Sequence, residues 1–225
     1  MSLAPRPVAP DRLADTLADL VDRAATARAD VAAAGALRVV VDGPAAAGPE
    51  RLADAMVDPL RLRGRPALRV ASGWFLRPAS VRLERGRTDP DAFYDDRLDV
   101  AGLRRELLDP LGPSGDGRYL PTLWDPATDR ATRAGYQTAP PGAVLLLDGT
   151  LLLGRGLPAD LSIHLRLSPA ALRRRTEGDQ RWVLPAYERY AREVHPERTA
   201  DVVVLLDDPR HPAVSLRTPP AEAPG

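Results

Sequence analysis

Gly43 and Gly48 frame the stretch of this chain best suited to chemistry. They carry the spacing of a phosphate-binding loop, G-x-x-x-x-G-K-[ST], between an apolar run at 37–41 and a helix-forming stretch from Arg51. In such a loop, backbone N–H groups and the helix N-terminus grip phosphate. The Lys reaches the β and γ oxygens, and the hydroxyl residue binds Mg²⁺. Here Pro49 stands in the Lys position and Glu50 in the Ser/Thr position. Pro49 removes an N–H donor. Glu50 turns a carboxylate toward polyphosphate, a repulsion of about 1 kcal/mol at ~4 Å in bulk water and more when desolvated. Two alternatives stand open for the pair. Glu50 could ligate Mg²⁺ as a hard oxygen donor. Equally, Pro in the first turn and an acid near the N-terminus both favour the helix itself. The sequence contains no Lys, so all 31 basic residues are Arg, and no Lys from elsewhere can fill the gap.

Other candidate groups are scattered along the chain. Asp148 follows the apolar run 143–147 and precedes Gly149, where it could hold Mg²⁺ through water or cap the next element. Arg173, Arg174 and Arg175 could contact phosphate or form a solvated helix face. Phe93, Tyr94, Asp96, Tyr119, Trp124 and Asp125 concentrate aromatics and carboxylates in a chain that is only 4% aromatic. Aromatics can sandwich a base and carboxylates can hold ribose hydroxyls; packing beneath a long loop is the alternative for each. His164 falls inside an apolar run and reads as structural. His195 and His211 are isolated, and with no Cys no metal cluster is expected.

The elements that must position these groups alternate. Leu13, Leu17, Leu20, Val21 and Ala24 recur at helical spacing, predicting an amphipathic helix over 11–34 that Gly35 ends. Apolar runs at 37–41, 67–71, 143–147, 161–167 and 201–206 read as strands of a parallel sheet. Helices are predicted at 51–62, shortened or kinked by Pro59, and at 100–108, 170–175 and 187–194. Residues 79–100 read as charged and irregular, and 111–141 as a hairpin or functional loop. Strands alternating with helices predict one α/β domain over 11–207, with a flexible N-terminus at 1–10 and a Pro-rich, mobile tail at 208–225. A formal net charge of zero argues against nucleic-acid or membrane-surface binding. A cytoplasmic location is expected.

Four segments in order resemble the bacterial uridine-kinase-like P-loop nucleoside kinases. They are Val41-Asp42-Gly43-Pro44 through Gly48; Phe93-Tyr94-Asp95-Asp96 with the run from Leu103 to Pro113; Val144 to Gly149; and Ala200 to Val204. The resemblance implies a parallel sheet flanked by helices, an acceptor-site insertion at 79–141 and a lid at about 172–186. It implies transfer of the ATP γ-phosphoryl group to a nucleoside 5′-hydroxyl, with Mg-ATP as cofactor. By this resemblance Gly43, Gly48, Pro49, Glu50, Arg51, Asp148 and Arg174 form the nucleotide site, with Asp148 and Glu50 as candidate metal ligands. Phe93, Tyr94, Asp96, Tyr119, Trp124 and Asp125 form the nucleoside site, with Phe93 and Tyr94 foremost. The chain departs from the family at Gly73 and Trp74, where family members carry two Asp, one of them the catalytic base. Trp74 could fill the vacated space or stack on a ligand base. The implied function is therefore a weakly active or inactive kinase. The alternative is a non-catalytic pseudokinase that binds a nucleoside or other small ligand, or acts through a protein partner the sequence does not name.

Overall fold

Short apolar strands separated by amphipathic helices can bury both sheet faces only by layering, and the chain does so. The computed structural model describes residues 4–28 and 35–217. In chain order the strands are β1 (Arg6–Pro7), β2 (Leu37–Asp42), β3 (Ala67–Ala71), β4 (Arg118–Tyr119), β5 (Trp124–Asp125), β6 (Arg130–Ala131), β7 (Gln137–Thr138), β8 (Val144–Gly149), β9 (Leu161–Arg166), β10 (Val202–Leu205) and β11 (Ala213–Leu216). The helices are α1 (Leu13–Ala27), α2 (Pro49–Leu62), α3 (Ala79–Arg82), α4 (Pro90–Asp95), α5 (Val100–Leu103), α6 (Pro169–Arg175), α7 (Leu184–Glu193) and α8 (Pro196–Thr199). The seven-stranded sheet runs β1-β11-β10-β9-β2-β8-β3. Strands β10, β9, β2, β8 and β3 pair in parallel, while β11 and β1 close one edge antiparallel.

Period-two alternation sorts the core. Val39 and Val41 on β2, with Leu146 on β8, face Leu17 and Val21 of α1 and Met56 and Leu60 of α2. Val40, Leu145 and Leu147 point the other way, toward Leu103, Leu107, Tyr187 and Tyr190. Among the described residues no helix is long and apolar enough to cross a membrane.

The structure corrects several expectations. Helix α1 ends at Ala27 rather than Ala34, and 29–34 lie outside the described residues. Helix α2 runs through Pro59, which sits in its last turn and so forfeits a single backbone bond; Arg63 Nη1 donates to the Pro59 carbonyl at 2.8 Å. The irregular stretch contains α3 and α4, the latter capped by Asp89, whose carboxylate accepts the Ala92 N–H at 2.7 Å. Segment 111–141 holds two short antiparallel ladders, β4 with β7 and, nested inside, β5 with β6. The two ends of the chain are not loose where they are described. Strand β11 pairs with β10, and Arg6 and Pro7 pair with Val214 and Ala213. Proline is tolerated there because an edge strand leaves one side of its backbone unpaired.

One ion pair fastens the opening of β2. Arg38 Nε and Nη2 donate to Asp160 at 2.9 and 3.1 Å, and Arg28 adds a contact at 2.8 Å. Burial alone would raise the Asp160 carboxyl, but the Arg38 hydrogen bonds outweigh it and hold the group below its ordinary range. Its stabilisation is present above the unfolded carboxyl value of about 3.9 and is lost as pH falls through the folded value. Asp160→Asn is expected to cost about 3 kcal/mol by leaving Arg38 uncompensated. Calorimetry at pH 7 should show a Tm lower by roughly 6–12 °C. The gap to wild type should close below about pH 4.

Candidate functional site

The loop 43–48 leaves the carboxyl end of β2, where the strand order reverses between β9 and β8, the position at which open α/β sheets form a crevice. Gly43 N–H donates to the Gly149 carbonyl at 3.1 Å. A Cβ on Gly43 would fall 2.8 Å from Leu165 Cβ, so this close pass over β9 requires glycine. Residues Ala45–Ala47 form a 3₁₀ turn. Within it Ala47 N–H donates to Pro44 O at 2.8 Å and Gly48 N–H to Ala45 O at 3.0 Å. Ala45 N–H reaches the Tyr187 hydroxyl at 3.4 Å. Gly48, at φ 75° and ψ 54°, takes the left-handed conformation that launches α2 with Pro49 at its start. The N–H groups of Gly43, Ala45, Ala47 and Gly48 are thus engaged inside the protein, and Pro44 and Pro49 have none. The Arg51 guanidinium folds back over Gly48, its Cζ 2.6 Å from where a Cβ would stand.

Behind the loop lies a buried polar knot that the sequence reading did not anticipate. Asp42, fully buried at the end of β2, accepts Leu152 N–H at 2.9 Å and the Tyr190 hydroxyl at 3.0 Å, and meets His164 Nδ1 at 2.8 Å. Tyr190 also takes the Leu153 N–H at 3.0 Å. Burial and the Asp42 carboxylate both push the Tyr190 phenol far up, so it stays a donor. The expectation that His164 is structural agrees with its place here. Tyr187, one helical turn from Tyr190 on α7, accepts from Thr150 at 3.1 Å as well as from the loop. Helix α7 therefore holds the loop and the strand end together.

Asp148 lies near the end of β8 and is 3% exposed. Both of its oxygens are taken: Arg69 Nε donates to Oδ1 at 2.7 Å and Nη2 to Oδ2 at 3.1 Å. Burial pushes the Asp148 carboxyl up, and the Arg69 contacts only partly offset this. Arg69 comes from β3, the neighbouring strand, through the register that pairs Ala71 with Asp148.

The structure separates the expected nucleoside residues. Phe93 lies in the cleft, edge-on to Trp182 at 5.5 Å and to Tyr187 at 6.0 Å, with Arg97 over its ring at 5.0 Å. Tyr94, its neighbour, is turned away and 8% exposed; its hydroxyl donates to Glu193 at 3.1 Å and Arg189 stacks on it. Adjacent helical residues point about 100° apart, so both cannot face one pocket. Asp96 is paired with Arg77 and Arg85, both at 3.1 Å. Tyr119 is buried and bonds Gln137, Trp124 bonds Asp129, and Asp125 closes a turn by accepting from Ala127 and Thr128. Trp74 is 39% exposed and does not line the cleft, while Gly73 does, with open space beyond its Cα. Of the lid arginines it is Arg175 that faces the cleft, not the exposed Arg174. Arg69, Arg97 and Arg155 escaped the sequence reading. Only Arg97 left a trace there, four residues after Phe93.

Two connected hollows result. One, with about 790 Å³ of empty space, lies between Glu50, Asp148, Gly73, Phe93 and Arg97. The other, about 1090 Å³, lies between the loop and the segment after α6, with Arg51, Arg97 and Arg175 on its wall. The residues present do not fit Mg-ATP. Most of the loop's amides are spent, no Lys exists, Asp148 is clamped by Arg69, and among the described residues no group of three or more His, Asp or Glu could hold a metal ion.

No family model and no curated protein matches the chain. Solved structures do. A possible uridine kinase from Bacillus stearothermophilus aligns at TM-score 0.62 and 20% identity, over 84% of this chain and 98% of that one. The YGR205w protein aligns at 0.61 and 11%, over 91% and 99%. A candidate fructose transport system kinase from Silicibacter sp. TM1040 aligns at 0.54 and 24%, over 80% and 90%. The chain shares the fold of these structures: a mostly parallel sheet flanked by helices, with the loop at its centre.

Proposed function

We propose that this chain is a small-ligand-binding protein on a uridine-kinase-like frame, in which γ-phosphoryl transfer from ATP to a nucleoside 5′-hydroxyl is lost or nearly so. The observation that carries the reading is the two-pronged hold of Arg69 on Asp148, the acid near the end of β8 that lines the cleft. The missing Lys, Pro49 and Glu50 in the loop, and Gly73 and Trp74 in place of the acids point the same way. The reading includes a nucleoside-like ligand in the cleft beside Phe93, no nucleic-acid or membrane partner, and a cytoplasmic location.

A weakly active kinase is the competing reading, and the open space around Gly73 favours it. Three lost phosphate or metal contacts at about 1.5–3 kcal/mol each predict a rate roughly 10³–10⁷-fold below that of an intact site. Titration calorimetry with Mg-ATP should give no heat of binding up to millimolar concentration, while a nucleoside or nucleotide panel should give a binder. Micromolar Mg-ATP binding followed by turnover would sink this proposal and leave the kinase reading standing.

A further inference from the structure

Arg97 stands out among the arginines of the cleft. It reaches the wall of both hollows, yet among the described residues its guanidinium makes no hydrogen bond or ion pair. Its contacts are the Phe93 ring, at 5.0 Å, and the field of another cation, Arg82. Burial pulls its pKa down, and Arg82 adds to that. Most arginines nearby are answered: Arg69 by Asp148, Arg77 and Arg85 by Asp96, Arg189 by Asp95 and Glu193. A largely desolvated cation without a counter-charge is unfavourable unless something anionic joins it, and a cation–π contact covers only part of the cost. The exposed Arg51 also borders the larger hollow, with no ion pair among the described residues, and Phe93 and Trp182 border the same space. The carboxylate on that wall belongs to the exposed Glu177.

We propose that Arg97, assisted by Arg51, is an anion-binding subsite that selects a ligand already carrying a phosphate monoester, of the nucleoside-monophosphate type, over the neutral nucleoside a kinase would accept. The phosphate meets the two guanidiniums, and the base packs against Phe93 and Trp182. The assignment rests on the binding-protein reading above and gives that site its substrate class. Arg97→Gln removes the charge that selects the ligand, while Arg97→Lys keeps a charge without the fork.

The test measures binding of uridine, uridine 5′-monophosphate and inorganic phosphate to the full chain and to both variants by calorimetry. Wild type should prefer the monophosphate over uridine by about ten- to a hundredfold, the scale of a charge-assisted hydrogen-bond set. The preference should vanish in Arg97→Gln and survive in part in Arg97→Lys. Without ligand, Arg97→Gln should melt no lower than wild type, because it relieves an unanswered cation; a purely structural arginine would leave a Tm loss instead. Equal affinity for uridine and its monophosphate in wild type, a preference that persists in Arg97→Gln, inorganic phosphate binding as tightly as the ester, or no binding at all would each overturn the assignment. Turnover of Mg-ATP in the same preparation overturns the binding-protein reading alone, so the two failures are distinguishable.

Discussion

Replacing Pro49 by Lys, Glu50 by Thr, and Gly73 and Trp74 by Asp in one molecule is expected to restore Mg-ATP binding without restoring turnover. A Lys on the β and γ oxygens contributes about 1.5–3 kcal/mol. Removing the Glu50 charge relieves about 1 kcal/mol or more. Against this, the 3₁₀ turn of Ala45–Ala47 must open and give up two backbone bonds worth about 1 kcal/mol each. The balance is a gain of roughly two- to thirtyfold in affinity. The substitutions suit the frame: Gly73 faces open space, Trp74 is a surface residue, and position 49 is the first of a helix. Turnover should stay absent while Arg69 holds both oxygens of Asp148. Adding Arg69→Ala should then release it, seen as phosphoryl transfer in a coupled assay. Brisk turnover in the fourfold variant with Arg69 intact would show that the Arg69–Asp148 pair does not block the site.

Asp42→Ala is expected to remove about 4–5 kcal/mol of stability, much of the total for a domain of this size. One fully buried carboxylate answers a backbone N–H, a phenol and an imidazole, and deleting it leaves all three facing an apolar void. The Tm should fall by roughly 8–20 °C, or the chain should fail to fold. Tyr190→Phe, which removes a single hydroxyl and leaves its neighbours in place, should cost about 1–3 kcal/mol. A variant Asp42→Ala as stable as wild type would show that the knot does not hold α7 to the loop. Because Tyr187 on the same helix holds Ala45, Tyr190→Phe should also speed amide exchange at the loop.

The parallel strands could be read from the chain because each is a short apolar run buried on both faces, and a run such as Val39-Val40-Val41 needs no partner to be recognised. The loop was legible for a similar reason. Two glycines five positions apart, after a strand and before a helix, describe a local conformation, and Pro49 and Glu50 are visible as departures from it. The short elements in 79–100 were read as irregular, although Asp89 before Pro90 is a cap followed by a first-turn proline. The candidate nucleoside pocket was not. Composition gathers Phe93, Tyr94, Tyr119, Trp124 and Asp125 in one region, but helix phase and the nested ladders send most of them into packing or turns.

The sequence by itself determined the five parallel strands and most of the helices between them, the glycine loop, and the absence of any Lys to serve it, since these are properties of local pattern and composition. Tertiary structure alone decided which charges are answered. Arg69 meets Asp148 across 79 positions of chain, Tyr187 meets Ala45 across 142, and Tyr190 meets Asp42 across 148. Among the described residues Arg97, by contrast, pairs with no acid. Such pairings depend on strand register and helix rotation, which long-range packing sets and no stretch of residues encodes alone.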